Sequence, residues 1–165
     1  MNFFKKLFAK TTSAPAPSAT PAISNVKNYR ITGVSHYEKN IASLGVLNPA
    51  YSLTKRDLIK AKRFDECIYQ YTFTPHKTEL IPEPTNPHDP NAIKVVIDGA
   101  HVGYIKAGSC KQILKMIDED RIASITSRIS GGAYKMLICH DDACTDCEID
   151  KGKNSYSVQI SITEK

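Results

Sequence analysis

The alternation of apolar and polar positions along the chain predicts strands over most of its length. Cys67, Tyr69, Tyr71 and Phe73 alternate with Ile68, Gln70, Thr72 and Thr74, the period of a half-buried strand. Ala123, Ile125, Ser127 and Ile129 alternate with Ser124, Thr126, Arg128 and Ser130, and Tyr156, Val158, Ile160 and Ile162 with Ser155, Ser157, Gln159 and Ser161. Tyr29–Val34 reads as a short opening strand, and Gly131-Gly132 as a turn into a strand over Tyr134–Cys139. Apolar runs at Ala92–Ile97 and His101–Ile105 flank Asp98-Gly99, a strong short hairpin signal. Two stretches switch to a helical period. Ser109 and Gln112 have capping-box spacing ahead of Ile113, Leu114 and Ile117, which predicts a helix over residues 110–119. Thr54 and Asp57 form a looser version that opens a second helix over residues 55–65. The fold class expected is α+β and mainly β, a small antiparallel barrel of OB or SH3 type with two helices.

Residues 11–26 change the picture upstream of these elements. They are rich in Pro, Ala and Ser and free of charge over 11–22, the composition of a flexible linker. Residues 1–10 (MNFFKKLFAK) precede it. On a helix, Phe3, Phe4, Leu7 and Phe8 would share one face, with Lys5, Lys6 and Lys10 around the rest, so the segment could dock on an anionic membrane surface or a partner protein. The lysines interrupt any continuous apolar run of the secretory-signal kind, and no stretch has the length to span a bilayer. The expected organisation is a basic amphipathic segment at 1–10, a linker at 11–26 and one domain at 27–165, in a soluble, cytoplasmic protein.

The net charge of +5 points to nucleic acid less strongly than it first suggests. Lys5, Lys6, Lys10, Lys27 and Arg30 stand in the first 30 residues with no acid, so residues 31–165 balance 17 basic against 17 acidic side chains. Binding by the domain therefore has to come from a local patch. Five cysteines, an odd number, suit free thiols in a reducing compartment better than a disulfide framework.

Residues 80–105 read LIPEPTNPHDPNAIKVVIDGAHVGYI. Pro84, Pro87 and Pro90 fix φ and disfavour helix before them, which makes a stiff extended loop. Asn86, Asp89 and Asn91 can fold onto backbone amides as Asx turns, while His88 and Asp89 sit mid-loop within reach of a ligand. Glu83-Pro84 followed by Asn86-Pro87-His88-Asp89-Pro90-Asn91-Ala92-Ile93, and then by the Val102–Ile105 run, resembles the signature of the HIRAN domain. Ile31–Val34, the helix after the Val-Gly-Tyr run, the Gly-Gly pair and the final amphipathic strand extend the resemblance over residues 27–165.

That resemblance implies a stand-alone nucleic-acid-binding module that recognises the 3′ end of single-stranded DNA. By it, Asp89 accepts the 3′-hydroxyl, His88 takes the aromatic place beside it, Tyr104 lines the pocket, and His36 and Tyr37 stand near the other stacking position. Ser35 and Ala107 stand where end-binding members carry basic residues, with Lys106 adjacent to Ala107, and His88 replaces the more usual tyrosine. An alternative from another class is a protein-interaction or membrane-surface adaptor that uses the fold as a scaffold.

Two further groups of residues carry chemistry. Arg56, Lys60 and Arg63 share one face of the expected helix and form the domain's obvious phosphate-binding surface. Cys139, His140, Cys144 and Cys147 form C-H-x3-C-x2-C between two strands. Thiolates and imidazole are zinc ligands, so a structural zinc is one reading, and unligated thiols or a redox-active pair are others. No P-loop, nucleophile elbow or H-E-x-x-H is present, so no catalytic residue, no enzymatic activity and no further cofactor are expected.

Overall fold

The protein is described by a computed structural model, which covers residues 25–141 and 143–165. The segment 1–10 and residues 11–24 of the linker lie outside the described residues. Among the described residues, nine strands and three α-helices follow one another: β1 (Val26–Thr32), α1 (Glu38–Ser43), β2 (Val46–Leu47), α2 (Lys55–Lys60), β3 (Ile68–Tyr69), β4 (Tyr71–Thr72), β5 (Thr78–Pro82), β6 (Ile93–Ile97), β7 (Ala100–Ile105), α3 (Ala107–Asp118), β8 (Ile122–Cys139) and β9 (Cys147–Glu164). Seven strands form one antiparallel sheet in the order β3-β8-β9-β1-β7-β6-β5, and β2 pairs with β4 beside it.

The fold is α+β, as the patterning predicts, but the sheet is not a closed barrel. Its edge strand β5 pairs along the backbone with β6 and meets β8 through side chains, with Thr78 Oγ1 donating to Ser127 Oγ at 2.8 Å. The sheet thus curls toward closure without completing a backbone ladder there.

Ile93, Val95, Ile97, Val102, Ile105, Val158, Ile160 and Ile162 build the main core from the strands. Cys110, Ile113 and Met116 close it from α3. The inward residues of β9 are those the alternation picks out, because a strand shows successive side chains to opposite faces. A second, smaller cluster gathers Leu58 of α2, Ile68 of β3, Leu137 of β8 and Cys147 of β9.

Several local expectations are corrected. Gly131-Gly132 is not a turn between strands but a register shift inside the continuous β8 ribbon. Both glycines have positive φ, and a Cβ on Gly131 would lie 2.4 Å from the Ser155 carbonyl oxygen. The alternating run at 67–74 is broken at Gln70, so that β3 pairs with β8 while β4 pairs with β2. The opening strand stops at Thr32, before a 3-10 turn over Val34–Tyr37.

The helices also differ. A third helix, α1, joins the two expected. The Thr54/Asp57 capping box forms in full, but α2 ends at Lys60 rather than 65. Lys62 takes a left-handed φ of 53°, and the amides of Lys62 and Arg63 close onto the carbonyls of Ile59 and Leu58, a Schellman stop. In α3 the first helical residue is Ala107, and the N-cap is Lys106 without a side-chain bond. Ser109 therefore lies inside the first turn, its amide donating to the Lys106 carbonyl at 2.8 Å, and does not cap.

Candidate nucleic-acid interface

Residues 83–92 connect β5 to β6, and their conformation follows from the prolines and the Asx side chains between them. Asn86 Oδ1 accepts from the amides of His88 (2.9 Å) and Asp89 (3.3 Å). Asp89 Oδ1 accepts from the Asn91 amide at 2.8 Å, and the Ala92 amide donates to the Asp89 carbonyl at 2.9 Å. Asp89 thus braces the loop with one carboxylate oxygen, while Oδ2 has no protein donor among the described residues.

Glu83 ties this loop to the sheet. Its Oε2 accepts from Asn86 Nδ2 (3.0 Å) and from the Tyr104 hydroxyl (3.1 Å), and Lys94 Nζ stands 3.7 Å from Oε1. The Asn86 amide first, then Tyr104 and Lys94, hold the Glu83 carboxyl below the usual carboxylate range. Burial first, and then the bond to Glu83, push the Tyr104 phenol up to about 12. The phenol therefore stays protonated at neutral pH, and its donated proton orients the ring.

β1 fixes the same tyrosine from the other side. At Gly103, φ is 146° and a Cβ would lie 2.4 Å from the Thr32 carbonyl oxygen, so β7 approaches β1 closely only with glycine there. Thr32 Oγ1 then donates to the Tyr104 carbonyl at 3.1 Å. The ladder between β6 and β7 shifts register at Val95/Val96, where the partners pass from Gly103 to His101. This bulge brings His101, three positions from Tyr104, to a ring-centroid distance of 4.9 Å from it. Tyr37, from the turn after β1, packs 4.0 Å from the His101 centroid and 6.4 Å from that of Tyr104. Burial, with Lys94 second, lowers the His101 pKa, which favours a neutral ring in the cluster.

A cavity of about 540 Å³ opens between the loop, the turn and β7. His36, Tyr37, His88, Asp89 and Tyr104 all line it, so the five aromatic and acidic residues singled out in the sequence converge. Ile105 and Ala107, the first residue of α3, also line it, whereas Lys106 between them is exposed and is not among the lining residues, contrary to the expected pocket contact. His88 and His36 are exposed and Tyr37, Asp89 and Tyr104 half-buried, which leaves ring faces and a carboxylate edge accessible. Sequence reasoning missed Thr32 as a lining residue, Glu83 as the clamp and His101 as the ring behind Tyr37. The acid-Pro pair was the available signal for Glu83.

The basic helix stands elsewhere. Arg56 and Lys60 are exposed on α2, whose Leu58 packs in the second cluster, and neither lines the cavity. Arg63 lies beyond the helix, so the expected three-residue face does not form. Its guanidinium is paired in bidentate fashion with Glu66, at 2.7 and 2.6 Å.

The cysteine loop is the tip of the β8–β9 ribbon. Cys139 and Cys147 face one another in register and are joined by a disulfide, contrary to the expectation of free thiols. The sulfurs of Cys139, Cys144 and Cys147 lie within 4.8 Å of one another. His140 does not join them, because its Nε2 faces Glu148 Oε1 at 3.3 Å. No helix among the described residues is long and apolar enough to cross a membrane.

Residues 69–141 match the family model of the HIRAN domain, a span that holds His88, Asp89, Tyr104 and Lys106. His36 and Tyr37 reach the same cavity from upstream of the matched span. No curated protein and no solved structure matches the chain.

Proposed function

Because this chain carries a HIRAN domain, a module known for binding nucleic acid, we propose that its cavity receives the 3′ end of single-stranded DNA. The convergence of Asp89 and His88 with Tyr37, His36 and Tyr104 on one cavity of about 540 Å³ carries this reading. A volume of that order suits one or two nucleotides, since small-ligand pockets span about 300–1,000 Å³.

The half-buried rings of Tyr37 and Tyr104 offer faces for terminal bases, and His88 and His36 offer further rings at the rim. Stacking contributes about 1–3 kcal/mol per base and tolerates any base. Asp89 Oδ2 accepts the 3′-hydroxyl, while Oδ1 keeps the loop folded. Lys106 and the uncapped first turn of α3, with its helix dipole, provide the phosphate contact in place of a basic side chain at Ala107. Each role is one of binding, and no reacting group is assigned to the site. The neutral charge balance of residues 31–165 means that affinity rests on these few contacts rather than on a broad field.

The test is an anisotropy titration of the full chain with a labelled single strand at low and physiological salt. Weak binding that falls as salt rises is expected, because a few phosphate contacts release counterions. Absence of binding at low salt would reject this reading and favour a protein-interaction role for the fold.

A further inference from the structure

The tip of the β8–β9 ribbon holds a second constellation, independent of the cavity. Cys139 and Cys147 close the ribbon opposite one another, and the intervening residues return Cys144 toward them. That return is built by the turn itself. The Asp141 carboxylate accepts from the amides of Thr145 (3.1 Å) and Asp146 (2.9 Å). The Cys144 amide donates to the Asp141 carbonyl at 3.0 Å, and Cys144 takes a left-handed φ of 52°. A bridge between Cys139 and Cys147 needs none of this. A third thiol held within 4.8 Å of both partners does need it.

We propose that, in the reduced chain, Cys139, Cys144 and Cys147 form a zinc site of three thiolates. A tetrahedral zinc with Zn–S of about 2.3 Å places its sulfurs about 3.8 Å apart, within the span these three atoms occupy. Cys147 is buried against Leu58, Ile68 and Leu137, which gives the site a dry floor, while the half-buried Cys139 and Cys144 leave a route for the ion. His140 is outside the set, since the ribbon turns it toward Glu148. Three protein ligands leave the fourth position to solvent.

The disulfide makes the site redox-gated. A dithiol reductant supplies two electrons to the Cys139–Cys147 bond, leaves two protein thiols and ends as its own disulfide. Zn²⁺ then displaces one proton from each of the three thiols. In the oxidised chain two of the three ligands are consumed by the bridge, and the ion is excluded.

Full-length protein reduced with a dithiol, desalted without oxygen and titrated with Co²⁺ tests this directly. One Co²⁺ per chain with a thiolate-to-cobalt charge-transfer band, bleached by Zn²⁺, is expected, and none in the oxidised protein. Cys144→Ser should weaken Co²⁺ binding by more than roughly 100-fold, beyond the cost of losing a residue that only hydrogen-bonds to a ligand. Cys67→Ser and His140→Ala should leave affinity unchanged. Cys139→Ser provides the second reading if Cys144→Ser loses its folded circular-dichroism spectrum. A reduced chain without the charge-transfer band, a folded Cys144→Ser that binds like wild type, a requirement for His140, or equal binding by the oxidised protein would each overturn the proposal.

Discussion

The β8–β9 ribbon has two ends that acquire chemistry in different ways. At the end where β9 pairs with β1, the strands feed the main core, and the neighbouring cavity draws residues from the turn after β1, the Pro-rich loop and β7. At the tip, the three cysteines come from nine consecutive residues, and one of them, Cys147, is buried with Leu58, Ile68 and Leu137 in the small second cluster. The cavity is a product of the whole fold, whereas the tip is a local device supported by a small apolar base. Its dependence on global stability and its response to mutation should differ accordingly.

The largest effect separates the two ends by their cores. Ile160→Ala, at a fully buried position of the main core, should cost about 2–5 kcal/mol in urea unfolding and loosen the cavity with the rest of the sheet. Leu137→Ala, equally buried but in the second cluster, should speed hydrogen exchange at the tip amides and leave single-strand affinity of the folded protein unchanged. Loss of affinity in Leu137→Ala equal to that of a cavity variant would show that the two ends are coupled.

Next in size, Tyr37→Ala should weaken single-strand binding by about 1–3 kcal/mol, because it removes a stacking face. Arg56→Glu with Lys60→Glu should weaken it far less, since these side chains stand on α2 away from the cavity. A larger loss from the charge reversal, measured by the same titration, would move the interface to the helix.

The smallest effect is one of pH. Glu83 is held below its ordinary range, so its clamp on Asn86 and Tyr104 is present above the unfolded carboxylate pKa and is lost as pH falls through the lowered folded value. Affinity should therefore decline on the acid side and stay level through mildly alkaline pH, because the Tyr104 phenol titrates only at about 12. Glu83→Gln should flatten the acid decline. A persistent decline in that variant would assign it to another group.

Much of this was legible in the residues. The Asp98-Gly99 hairpin, the alternation of β9 and the prolines around His88 and Asp89 each prescribe a local geometry that tertiary packing leaves intact. The assembly of His36, Tyr37, His88, Asp89 and Tyr104 was legible through the HIRAN resemblance, since no local rule places residue 37 beside residue 104. The misses have local causes. Gly131-Gly132 reads as a turn because positive φ serves turns and bulges alike, and only the partner strand decides between them. His101 was hidden by the bulge at Val95/Val96, which defeats a two-residue period. Arg63 dropped out of the basic face because Lys62, with no glycine signal, adopts the left-handed helix stop.

The 3′-end assignment itself rests on Asp89, and the choice of terminus tests it most directly. A carboxylate accepts a hydrogen bond from a 3′-hydroxyl, a charge-assisted contact of about 1.5–3 kcal/mol, but repels a 3′-phosphate at the same position. Paired titrations of the full chain with strands that differ only at that terminus should give several-fold tighter binding of the hydroxyl form, and Asp89→Asn should shrink the difference. Equal affinity of the wild-type protein for the two strands would contradict recognition of the 3′ end at this cavity.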